Sequence, residues 1–261
     1  MIAYLSLLAL CWLGVGAQLV VNVKNKGGEV IKETIQANTT LDTVALDYQK
    51  SDGTIITQFI DFKNEVHFFR VLLLGEEELN QPQQQVMCFV VRFIKNEFIS
   101  SDAMSKLRQK NPNAVRHPED DKGSESTVKD RIIDLDKSQV FSPFLSSICE
   151  DAKGTTYISD ADVRLLSKTL NKDYYVLSEA TKAPPMDKLG TCKSVQETSK
   201  PCVCRYEVCV GWYPCGLKYC HGKDSSGKVV SYRCGIKTCR KCRQFDYYVP
   251  QKSQCMWEMP D

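Results

Sequence analysis

Thr43-Val-Ala-Leu-Asp-Tyr48, then Ser51-Asp-Gly53, then Thr54-Ile-Ile-Thr-Gln-Phe-Ile-Asp-Phe62 is the stretch that decides the fold. Its two arms are rich in β-branched and aromatic residues and alternate in polarity, the period of a half-buried strand. Between them, Asp52-Gly53 is a strong hairpin signal, because glycine supplies the positive φ of a tight turn. The same pattern runs outward. Leu19-Val-Val-Asn-Val23 and Glu29-Val-Ile-Lys-Glu-Thr-Ile35 flank Asn25-Lys-Gly-Gly28. Val66-His-Phe-Phe-Arg-Val-Leu-Leu-Leu74 and Val86-Met-Cys-Phe-Val-Val-Arg-Phe93 add two more strands. About six strands in succession make a mostly antiparallel sheet.

Helical signals follow the strands. Ser101-Asp102 caps a helix running through Met104 and Leu107 to about Lys110, where Pro112 blocks it. Residues 117–137 are polar and charged and read as a mobile loop. Ser142-Pro143 opens a short helix through Phe144, Leu145 and Ile148, and residues 160–170 form another. Ala183-Pro-Pro-Met186 begins a linker spanning 183–189. Residues 190–261 then consist of short cysteine-bounded segments, which predict a small disulfide-rich domain, mostly β or irregular. Residues 18–182 thus form an α+β domain ahead of a cysteine-rich one.

The apolar run from Met1 to Leu13 stops at Gly14-Val-Gly-Ala17, the pattern of a signal peptide over 1–17. No later stretch predicts a transmembrane segment: Val71-Leu-Leu-Leu-Gly75 is short and runs into three glutamates. Removing Cys11 from the 13 cysteines leaves twelve, an even number in a chain bound for an oxidising compartment. Two, Cys88 and Cys149, precede the linker. The other ten are Cys192, Cys202, Cys204, Cys209, Cys215, Cys220, Cys234, Cys239, Cys242 and Cys255. In a cytosolic chain the spacings Cys202-x-Cys204 and Cys239-x2-Cys242 would suggest zinc; in a secreted one they predict disulfides and no cofactor. Cys202 and Cys204 are too close to pair with each other, so they reach different partners.

The near-neutral total, +2, hides an uneven distribution: from residue 186 onward thirteen Lys and Arg face seven Asp and Glu. Lys237, Arg240, Lys241 and Arg243, with Lys218 and Arg233 nearby, form a cluster able to bind a sulfated glycan or an acidic extracellular protein; the plainer reading is a solvated face. Tyr206, Trp212, Tyr213, Tyr219, Tyr232, Phe245, Tyr247, Tyr248 and Trp257 fill a minimal core between cystines, some of them forming a contact surface. Asn38-Thr-Thr40 is a glycosylation acceptor. The three histidines, His67, His117 and His221, belong to no hydrolase, zincin or nucleotide-binding motif, so the sequence points away from an enzyme.

Two resemblances are carried by particular residues. Phe59-Ile-Asp61-Phe-Lys-Asn64, Cys88 in a strand and Phe144-Leu-Ser-Ser-Ile-Cys149 resemble the BRICHOS domain pattern. From end to end, Asp61-Phe-Lys-Asn64, Met104-Ser-Lys-Leu-Arg-Gln-Lys-Asn-Pro112, Lys200-Pro-Cys-Val-Cys204, Trp212-Tyr-Pro-Cys215, Leu217-Lys-Tyr-Cys-His221 and Cys234-Gly-Ile236 resemble the Out at first family of secreted proteins. The BRICHOS resemblance implies five or so strands with helices on the sheet faces, a Cys88–Cys149 bond, and a role for Asp61. If Asp61 faces the helices, its neutralisation on acidification would loosen them; if it faces water it is an ordinary surface carboxylate. Cys209 and Cys242 are additional to the family pattern, which implies a bond between them.

The reading is a secreted extracellular binding or developmental signalling protein without catalytic activity, engaging a receptor or other extracellular protein. The alternative is a chaperone-like module holding an extended peptide client or its own tail. A nucleic-acid partner fits poorly with a signal peptide and twelve thiols. N-terminal sequencing of conditioned medium should find a product beginning at Gln18; retention of Met1, or no secreted product, contradicts the signal-peptide reading.

Overall fold

A computed structural model of the chain describes residues 17–79, 81–107 and 111–255. Residues 1–16 of the expected signal peptide (1–17), Trp257 and the predicted end of the first helix (108–110) lie outside the described residues. The expected strands run in succession: β1 (Ala17–Lys24), β2 (Val30–Asn38), β3 (Thr43–Gln49), β4 (Ile55–Asp61), β5 (Val66–Leu74) and β6 (Gln84–Arg92). Each pairs antiparallel with the next. The turn between β3 and β4 places Gly53 at φ 84°, where a side chain would be strained.

The sheet is larger and more mixed than a five- or six-stranded antiparallel one. β7 (Val115–Arg116) pairs parallel with β1 at one edge. At the other, β10 (Thr156–Ile158) pairs parallel with β6, followed by β9 (Arg131–Ile133) and β11 (Thr181–Lys182), giving ten strands. The helices are short: α1 (Ser101–Ser105), α2 (Leu145–Ile148), α3 (Asp160–Thr169) and α4 (Tyr174–Ser178). Ser100, rather than Ser101 or Asp102, caps α1 by accepting from the Ala103 amide. Ser159 caps α3 in the same way, accepting from the Asp162 amide, and the helix buries Val163 and Leu166. No helix among the described residues is long and apolar enough to cross a membrane.

Residues 117–137 are not a loop. Asp120–Lys129 is strand β8, parallel to the last strand among the described residues. The C-terminal region is likewise two very long strands rather than short segments: β12 (Cys202–Lys223) and β13 (Val229–Val249) form one antiparallel hairpin.

Strand alternation builds three layers. On β5 and β6, Val66, Phe68, Cys88 and Val90 point to the helices, where Leu145, Leu166 and Leu177 cover them. Phe69, Val71, Met87 and Phe89 point the other way and meet Val208, Trp212, Phe245 and Tyr247 of the hairpin in a second continuous core. Asp61 is buried on the helix side. Its carboxylate accepts from the Ser142 hydroxyl (2.6 Å) ahead of α2 and from the Asn64 amide (3.0 Å) and side chain (2.7 Å). It fixes the sharp turn after β4 to the start of α2, and is not a surface carboxylate.

Cys88 of β6 is bonded to Cys149 at the end of α2 across a sequence separation of 61. Replacing both with alanine should lower stability by roughly 4 kcal/mol, the entropy of a loop that long in the unfolded chain. Denaturant unfolding that shows no change would contradict this.

Candidate functional site

The C-terminal hairpin carries most of the cysteine chemistry, and its register explains the bonds. Cys209 faces Cys242 directly across the ladder. Cys215–Cys239 and Cys220–Cys234 form two further rungs toward the tip. At the base, Cys192–Cys202 and Cys204–Cys255 tie the flanking segments to β12, so Cys202 and Cys204 reach different partners. All twelve described cysteines are in disulfides, as an oxidising compartment favours.

The base of the hairpin is held to the sheet by aromatic packing and a few aimed polar groups. Phe89 stacks on Phe245 with ring centroids 4.4 Å apart. The Tyr48 hydroxyl donates to the Cys209 carbonyl (2.6 Å) and the Tyr157 hydroxyl to the Tyr248 carbonyl (2.9 Å). Between Val210 and Tyr213 the ladder register shifts, and there the Gly211 amide donates to the buried Glu33 carboxyl (3.0 Å). A β-carbon at Gly211 would lie 2.9 Å from Val23 and 3.1 Å from Glu33, so only glycine permits this approach.

The four cations of the predicted basic cluster are not a free patch. Lys237 pairs with Asp120 (2.9 Å) and Arg240 with Asp121 (3.2 Å); Lys241 and Arg243 each reach Glu97 and Glu125. Three of these four acids come from β8, whose parallel register sets Asp121 beside Arg240 and Glu125 beside Arg243. A sulfated glycan there would compete with carboxylates already in place. At its end β8 buries Lys129, whose ammonium contacts Asp162 (2.8 Å) and the Val90 carbonyl (3.0 Å). Burial pulls that ammonium below its ordinary pKa, while Asp162 opposes the shift.

Beyond Leu217 the hairpin leaves the core, and residues 218–235 are exposed or half-buried. Val229, Val230, Tyr219 and Tyr232 are among the exposed large hydrophobic residues of the chain. In the sequence this tip showed as spare aromatics, two cysteines (Cys220 and Cys234), His221 and two cations, Lys218 and Arg233.

The three histidines are in different settings. His67 is buried 4.1 Å from the Phe69 ring, and burial, with Arg243 and Lys241 nearby, holds its pKa well below the ordinary value. It lines a cavity of about 40 Å³ between sheet and hairpin, together with Gln58. His117 is exposed beside a groove lined by Trp212 and Ile236, and His221 lies on the tip. Asn38 is exposed at the end of β2, its side chain accepting from the Leu41 amide, where an enzyme could reach it.

Two family models match the chain: one described as "Out at first" over residues 17–166, and one as "Out at first, C-terminal" over residues 191–259. The chain belongs to the Out at first family. The Out at first protein of Drosophila virilis is 50% identical over 252 residues, covering 93% of this chain and 82% of that protein. Its counterpart in Drosophila melanogaster is 49% identical over 253 residues, 93% of this chain but 52% of its own length, so the chain spans about half of that relative. No solved structure matches. In this Out at first chain the segments matched by the two models share one core, because β8 from the first pairs with β13 from the second.

Glu33 makes the union of hairpin and sheet sensitive to pH. Burial raises its pKa from 4.5 to about 8, against the hydrogen bonds from Gly211 and Trp212, and its second oxygen has no partner among the described residues. The folded protein therefore keeps a proton that the unfolded chain releases above 4.5, so stability is full below that pH and falls as pH rises toward 8. At 1.36 kcal/mol per unit the loss is of order 5 kcal/mol. Glu33→Gln keeps an acceptor for Gly211 and removes the titration. Urea unfolding at pH 5 and pH 8 should show wild type losing stability between them and the variant losing much less; parallel behaviour would contradict the assignment.

Proposed function

We propose that this Out at first family member is a secreted, non-catalytic extracellular binding protein whose recognition element is the exposed tip of the C-terminal hairpin, residues 218–235. The observation that carries the reading is the contrast along one pair of strands. The inner part of the hairpin is packed on the sheet and its cations are paired, whereas the outer part projects with aromatic and basic side chains uncovered. A surface of Tyr, Arg and Val on a disulfide-braced hairpin is preorganised, which lowers the entropic cost of binding. The signal-peptide pattern, the disulfides and the exposed sequon at Asn38 support an extracellular setting.

A chaperone-like role in holding extended peptides draws on the sheet's capacity to accept extended strands on its face. That face is filled by the chain's own β12 and β13, sealed by Phe245 and Tyr247. Its occupancy favours the binding-protein reading.

Deleting 218–235 and joining Leu217 to Ile236, which are cross-strand partners, through an Asn-Gly turn removes the tip and its one disulfide without touching the core. The shortened protein should be secreted and unfold at nearly the wild-type temperature, but lose saturable binding to cultured Drosophila cells. Undiminished binding would refute the assignment of the tip.

A further inference from the structure

We infer that the hairpin tip is a two-faced surface fitted to a protein partner that offers an acidic wall and an apolar wall together, rather than to a sulfated polysaccharide. The inference rests on the reading of the tip as the recognition element.

The register of the tip is Tyr219 opposite Arg233, Cys220 opposite Tyr232, His221 opposite Ser231, Gly222 opposite Val230 and Lys223 opposite Val229. Cross-strand partners share a face, and successive residues alternate. One face therefore carries Tyr219, His221, Lys223, Val229, Ser231 and Arg233. The other carries Val230, Tyr232 and the Cys220–Cys234 disulfide and has no charged group in these five rungs; Lys218, one step inward, is paired with Glu119 (2.6 Å). Gly222 belongs to this second face: a β-carbon there would lie 3.0 Å from the Tyr232 ring, so the tyrosine lies across the glycine.

The charges on the first face are available. No carboxylate pairs with Lys223, Lys228 or Arg233 among the described residues, unlike the cations of the inner hairpin. Asp224, the acid of the tip, is turned onto its own loop, accepting from the Ser226 amide (2.9 Å) and hydroxyl (2.6 Å) and from the Lys228 amide (3.0 Å). An acidic partner surface thus meets cations without displacing an existing pair, which steers association. The uncharged face decides between classes of partner. A sulfated polysaccharide satisfies the cations alone and leaves Tyr232 and Val230 in water, whereas a protein cleft covers both faces. Tyr and Arg are also the side chains enriched where protein partners bind most strongly.

The test uses the labelled full-length protein on cultured Drosophila cells, either untreated, shaved with trypsin, or treated with heparan and chondroitin lyases. Two variants separate the faces: Lys223→Glu with Arg233→Glu, and Val230→Ser with Tyr232→Ser. Unchanged thermal unfolding checks that each is folded. Binding should disappear after trypsin and survive the lyases. It should weaken by at least about tenfold in both variants, and increasing salt should weaken wild type more than the charge-reversed variant. Loss of binding after lyase treatment, with the Val230/Tyr232 variant binding like wild type, would overturn the inference in favour of a glycan while leaving the tip as recognition element. Wild-type affinity in either variant would likewise overturn it. Absence of saturable binding by the wild type would refute the broader function, and this inference with it.

Discussion

Phe89 of the sheet lying flat against Phe245 of the hairpin is the contact on which the rest of the molecule depends. Around it Phe69, Tyr157 and Tyr247 fill the space between the layers, with Tyr157 and Tyr247 4.9 Å apart and Phe69 5.5 Å from Phe245. Without this seam the sheet would expose one apolar face, and the inner hairpin would have no core beyond its own cystines. Aromatic packing alone allows a strand to slide, so polar groups set the position. The Tyr48 and Tyr157 hydroxyls each find one backbone carbonyl, and Glu33 finds the Gly211 amide where the ladder register first shifts, between Val210 and Tyr213. A buried polar group left without its partner is costly, so these contacts select one docking of the hairpin over its neighbours.

Charge is arranged in two distinct ways on the same two strands. Along the inner part of β13 the cations meet the acids of β8 at nearly every step, and a strand with almost no apolar residues becomes part of a sheet. Exposed ion pairs contribute little individually, so the backbone ladder and the buried Lys129–Asp162 pair hold β8, while the charges determine which residues stand opposite. Further out the acids stop and the cations continue. The last pair, Lys218 with Glu119 (2.6 Å), lies one residue beyond the point where the hairpin leaves the core.

Much of this was legible in the residues. The six strands from Ala17 to Arg92 followed from alternation and turn glycines, because each has one sequence-local partner. Helix α3 lies where the sequence placed it, within residues 160–170. Strand β8 was not legible: Asp120-Asp-Lys-Gly-Ser-Glu-Ser-Thr has the composition of a solvated loop, and its partner lies more than a hundred residues away. The long hairpin was obscured by cysteines, which break hydrophobic periodicity while bridging its strands. The basic cluster was visible, but its neutralisation was not, since Glu97 and Glu125 are close only in the folded chain. Asp61 was singled out by resemblance; its burial needed the position of Ser142, which sequence alone does not supply.

The pairing of β8 with β13 also governs the order in which the molecule can be made. A ribosome delivers Asp120–Lys129 long before Val229–Val249, so the middle strand must wait, unpaired and charged, for those later residues. The sheet face around Phe89 waits too, apolar and uncovered, until Phe245 arrives. In the interval the half-made protein presents a sticky surface next to an acidic one. The acidic composition that hides β8 as a strand in the sequence keeps this waiting segment hydrated, which suits a fold that β13 closes.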